Sequence, residues 1–171
     1  MPLQKATLLT SGIMIMAIIG SPLGGWMADR WMKKKIQARL LVPAIAALLT
    51  AVLNISAIHF FSGGPLQYGL FILGGIASSA WASSAIAVTQ DVVHPGLRAI
   101  SYALCVIVQN LLGSSLGPLV TGAFSDLYGI ATALKIASLT ALLSFVFFYL
   151  GSNYYKRDLE KVERVALIVE N

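Results

Sequence analysis

Five stretches of this chain, 6–28, 40–61, 67–89, 99–123 and 129–151, each run past twenty residues with almost no formal charge. About 20 residues of helix, at roughly 1.5 Å of rise each, cross the hydrocarbon core of a bilayer. Only 11% of the 171 residues are charged, against about 25% in an ordinary soluble domain, and 57% are hydrophobic. A folded chain of this size leaves roughly 30% of its unfolded surface in contact with solvent. For most of this chain that solvent must be lipid. The expected fold is all-α: a polytopic bundle of five transmembrane helices over 1–153, followed by a charged cytoplasmic tail over 154–171. Polar turns join the spans at SGGPLQ (62–67), DVVHPGLR (91–98) and SDLYG (125–129). The first run is not a signal peptide, being too long and having its basic cluster after it rather than before. The single cysteine, Cys105, lies inside an apolar run, where a buried and inert thiol is expected.

Charge gives the orientation. Arg30, Lys33, Lys34, Lys35 and Arg39 follow the first run; Arg98 lies two crossings later, and Lys156, Arg157, Lys161 and Arg164 two crossings after that. Only Lys5 and Lys135 fall on the other side. Basic residues accumulate in cytoplasmic loops, so the amino terminus is expected outside and the carboxy terminus in the cytoplasm. The net charge of +5 is thus a topology signal and not a nucleic-acid footprint. Lys135, about 9 Å into the fifth run, either snorkels outward or faces inward with a functional role.

The first run stops at GGWMADRWMKKK (24–35). A basic cluster at a helix end anchors it to anionic headgroups, which accounts for the lysines. It does not account for Asp29, or for Gly25 four residues earlier on the same helix face. A glycine there would let a neighbouring helix approach. The carboxylate would then accept hydrogen bonds from a helix amino terminus.

This stretch resembles the signature loop of the major facilitator superfamily, Gly-x-x-x-Asp-Arg/Lys-x-Gly-Arg/Lys-Arg/Lys, which is cytoplasmic after the second helix and, more degenerately, after the eighth. Gly25, Asp29, Arg30, Lys33 and Lys34 match, and Met32 stands where the pattern has its second glycine. The bland reading is a stop-transfer helix end. NLLGSSLGPLVTGAFSD (110–126) spaces Gly113, Gly117 and Thr121 by four, a close-packing stripe. Pro118 removes a backbone donor, and Gly122 and Asp126 repeat the Gly-x-x-x-Asp spacing. The segment is similar to the eleventh helix of organic-anion-type and spinster-like members, preceded here as there by an arginine-bearing turn at Arg98. It also resembles the glycine-proline motif of the fifth helix in antiporters. A short charged tail in place of a long central loop favours helices eight to twelve, the carboxy-terminal portion of a twelve-helix transporter.

The resemblance makes the third run, 67–89, the main cavity helix. Ser79, Trp81 and Ser83 become candidates for the substrate path, together with Gln109 and Asn110 on the fourth run. The structural alternatives are helix packing through Gly75, Ser79 and Ser83, and interhelical hydrogen bonding by the two amides. Trp81 stands apart, because tryptophan favours membrane interfaces and this one is near mid-span. No Asp, Glu or Arg occupies the middle of a span, so an intramembrane acid for proton coupling would lie elsewhere. No catalytic residue, metal site or cofactor is indicated: His59 and His94 lie on opposite sides, and no nucleophile–base pair or phosphate loop occurs.

The expected function is transport of a small organic solute, by analogy an anion, through alternating access between two six-helix halves. The implied partners are that solute, the missing amino-terminal helices and membrane lipid, with no nucleic acid. The implied location is a plasma membrane of the bacterial inner-membrane kind. The competing expectation is a truncated, non-transporting remnant or accessory subunit.

Overall fold

The computed structural model describes residues 3–60 and 64–169, with side chains over 10–60 and 64–162. In hydrocarbon every backbone N–H and C=O must be satisfied within the segment, so apolar runs of this length become helices. They are α1 (Leu3–Met32), α2 (Ala38–Phe60), α3 (Pro65–Asp91), α4 (Arg98–Val108), α5 (Leu116–Tyr128) and α6 (Ile130–Val169). A π-helical segment, Gln109–Ser115, fuses α4 and α5 into one span, so among the described residues five helices are long and apolar enough to cross a membrane. Pro118 explains the wide turn. It has no N–H for the carbonyl of Ser114, and the ladder loosens just before it.

The junctions are shorter than the polar stretches suggest. The expected turn over 125–129 is helical through Tyr128, and the chain reverses at Gly129 alone, with φ of 83°. Only glycine adopts that left-handed geometry freely. The described part of the turn before α3 ends at Gly64, and Pro65 opens the helix, where a missing N–H forfeits no bond. Its earlier residues, 61–63, lie outside the described residues. Between α3 and α4, Nδ1 of His94 accepts the Gly96 N–H at 3.2 Å and sets a single 3₁₀ turn, Pro95–Leu97.

Helix α3 is the hub: α1 packs on one side of it and α2 on another, and α2 in turn packs on α6. Small residues set these distances. A Cβ built on Gly20 or Gly24 would overlap the backbone carbonyl of Ile76 or Ala80, so α1 and α3 touch backbone to backbone. The face that α2 buries is mostly alanine, at Ala38, Ala44, Ala46, Ala47, Ala51 and Ala57, with Leu40, Val42, Pro43 and Thr50. The fourth span is different. It meets α3 through α4 and α6 through α5, and none of its residues is buried. Cys105 is accordingly half-buried and not enclosed as expected. Helix α6 continues unbroken past 153/154, and Tyr155, only 3% exposed, belongs to the bundle and not to a separate tail.

Candidate functional site at the basic end of the bundle

The residues that begin and end helices near the basic loop converge on one guanidinium. Pro43 in α2 cannot donate to the carbonyl of Arg39 four residues earlier. Ser84 of α3 donates to that carbonyl instead, at 2.6 Å, which ties the start of α2 to α3. The Arg39 side chain then reaches both ways. It bonds Asp29 of α1 at 3.1 Å and pairs closely with Oδ2 of Asp91, the last residue of α3. Tyr155 of α6 donates its hydroxyl to the same Oδ2 at 2.6 Å. Four helices meet at one charge cluster.

The members differ in burial. Asp29 is 64% exposed at its side chain, whereas Arg39 and Asp91 are 19% and 21% exposed. The strong part of the cluster is therefore Arg39–Asp91–Tyr155, with Asp29 at its rim. A carboxylate at the carboxy end of α3 opposes the helix dipole, so Asp91 depends on these two donors. Arg39 Nε is buried without a hydrogen-bond partner, a cost the two ion pairs offset. Loss of any one partner leaves a charge poorly solvated.

Sequence reasoning singled out Asp29 but gave it a helix amino terminus as partner; the structure gives it the Arg39 side chain. Arg39, Asp91 and Tyr155 were missed as site residues. A usable signal was present: Asp91 is the only acid between Asp29 and Asp126, and it lies on the side that holds Arg39. The helix contact assigned to Gly25 belongs mainly to Gly24 and Gly20, since a Cβ on Gly25 would meet Ser83 Oγ at an ordinary 3.4 Å. Arg30 lies over the Trp26 ring at 5.8 Å, and Lys33 and Lys34 are exposed. Met32 ends α1, and the N–H groups of Lys34 and Lys35 both bond the Trp31 carbonyl, at 2.9 and 3.0 Å. No non-glycine residue takes positive φ among the described residues, so this turn closes without the second glycine.

The five substrate-path candidates do not come together. Ser79 packs against Gly20 and donates to Ile76 O at 3.0 Å, while Ser83 donates to Ser21 O of α1 at 2.9 Å. Gly75 faces Ile13 of α1 on the same seam. Trp81 points the opposite way, 6.2 Å from the Phe148 ring, into a cavity of about 270 Å³ shared with Thr50, Thr140 and Ser144. Gln109 and Asn110 open the π segment and are exposed, with Asn110 donating to Val106 O at 2.9 Å. Cβ atoms built on Gly113, Gly117 and Gly122 would meet nothing within 4 Å. Pro118 lies one turn beyond the π segment.

The family model described as Major Facilitator Superfamily matches residues 2–167, nearly the whole chain. No match was found among curated proteins.

Proposed function

Because this chain belongs to the Major Facilitator Superfamily, we propose that it forms helices eight to twelve of a secondary transporter that moves a small organic solute by alternating access. The observation that carries the reading is the cluster in which Arg39 joins Asp29, Asp91 and Tyr155 across α1, α2, α3 and α6. Transport by rocking two halves needs rigid bodies whose contacts at one membrane face form and break together. The cluster makes the basic end of this bundle such a body, with exposed Asp29 as the member open to the other half. That end is cytoplasmic by the ten-to-two distribution of basic residues, which puts the carboxy terminus inside. The degenerate signature loop and the Arg98 turn before the glycine-proline span support the second-half assignment. The unfilled faces at Gly113, Gly117 and Gly122 suit packing by the remaining helices. A solute of organic-anion type rests on the fourth-span resemblance.

The test uses the protein with all its helices in proteoliposomes and a panel of small radiolabelled organic anions. Saturable uptake of at least one is expected. Asp29→Asn should cut it severalfold while membrane abundance and helicity stay unchanged. Normal uptake by Asp29→Asn would return the loop to a stop-transfer role. Absence of uptake across anionic, neutral and cationic solutes would favour a non-transporting membrane protein.

A further inference from the structure

Once Arg39 has taken Asp29 and Asp91, four cations of the loop are left over among the described residues, Arg30, Lys33, Lys34 and Lys35, and the first three share one cavity. Arg30, Lys33 and Lys34 are exposed, and among the described residues none of them is ion-paired. With Trp26, Met27 and Trp31 they line a cavity of about 480 Å³. A second cavity, of about 320 Å³ and wholly apolar, adjoins the first, and Met27 and Trp31 line both. Leu23 of α1 and Ile45 and Leu49 of α2 form its walls, and Ile76, Ala77 and Ala80 of α3 its floor. It exists because α1 and α2 each pack closely on α3 and only loosely on each other. Along α1 it runs from Gly20 to Trp31, about 17 Å of helix rise. That is slightly more than half of a hydrocarbon core roughly 30 Å thick. The slot is one leaflet deep.

We propose that the two cavities form one site for an anionic phospholipid, with an acyl chain in the α1–α2–α3 slot and the phosphate among Arg30, Lys33 and Lys34. The charges complement an anionic headgroup at the depth where basic residues and tryptophans meet the interface. The shared Met27 and Trp31 set the polar and apolar compartments side by side, which a diffuse layer of attracted lipid does not require. A free phosphate would use the cations and leave the slot empty. The site depends on membrane embedding and not on transport, so it stands or falls independently of the proposed function.

The test is quenching of Trp26 and Trp31 in the chain carrying Trp81→Phe, reconstituted in phosphatidylcholine vesicles. These contain an equal minor fraction of either phosphatidylglycerol or phosphatidylcholine brominated in mid-chain. Brominated phosphatidylglycerol should quench about twofold more or better, as attraction by three cations implies. Arg30→Gln, Lys33→Gln and Lys34→Gln together should abolish the excess. Ala77→Phe, which fills the slot and keeps every charge, should also lower it; Ala77→Leu replaces it if circular dichroism shows lost helix. Equal quenching by the two lipids would overturn the site, as would an excess that survives either the triple change or the filled slot. Displacement of the excess by inorganic phosphate at constant ionic strength would reduce it to a simple anion site.

Discussion

Arg39 and Asp29 separate two kinds of ion pair within one cluster. Arg39 lies between two carboxylates at low exposure, and its removal leaves Asp91 with a single donor, Tyr155, at a helix carboxy end. Arg39→Gln should therefore lower stability by about 3 kcal/mol, the usual cost of breaking a largely buried pair. Asp29→Asn, at an exposed rim position, should cost no more than about 1 kcal/mol. Unfolding followed by circular dichroism in detergent measures both. Adding Asp91→Asn to Arg39→Gln should recover part of the loss, since the second change removes the orphaned charge. Equal costs for the two single changes would mean that the cluster is solvated like any surface pair.

At the scale of helices, glycines divide by what faces them. A methyl group at Gly24 has no room against Ala80, so Gly24→Ala should separate α1 from α3 at a cost of about 1–3 kcal/mol. At Gly113 the same change meets open space and should leave stability unchanged or raise it by about 0.5–1 kcal/mol through helix propensity. Denaturation of the isolated chain compares the two directly. With all helices present the sign at Gly113 should reverse if another helix packs there. The hydroxyls of Ser78 and Ser79 return their protons to Gly75 O and Ile76 O, at 2.8 and 3.0 Å, and so do not seek partners in lipid. Exposed Asn110 places one amide N–H on Val106 O, at 2.9 Å.

For the molecule as a whole, the fourth span is the open side. Leu111, Leu112 and Leu119 are 60%, 62% and 69% exposed beside glycines that touch nothing. Small-residue stripes of this kind favour close helix contact even where lipid is as apolar as leucine. The 171-residue chain alone should thus self-associate, visible as energy transfer between fluorescently tagged copies in vesicles. Co-expression with a seven-helix amino-terminal piece of a close relative should reduce that transfer. Saturable uptake by vesicles holding only these residues would point instead to a small homo-oligomeric carrier. A reporter active only outside the cell, fused to Asn171, should stay silent; a strong signal would sink the five-span orientation.

Span number and helix type followed from the sequence alone, because a bilayer admits few solutions for runs as long and uncharged as 40–61 or 129–151. The spacing of Gly25, Asp29 and Arg30 could likewise be read from the sequence, being local to one stretch of chain. What tertiary structure decided was partnership. Asp29 and Arg39 are ten residues apart, Arg39 and Asp91 fifty-two, and Asp91 and Tyr155 sixty-four, so only the packing of α2 and α6 around α3 brings them together. Helical periodicity ranks faces but does not say which neighbour each face meets. Ser79 and Trp81 were grouped on one path although two residues of helix, about 200° of turn, already set them on opposite sides of α3; only the fold assigns those sides to α1 and α6. Side chains of one helix diverge within two residues, and the fold alone chooses where each one lands.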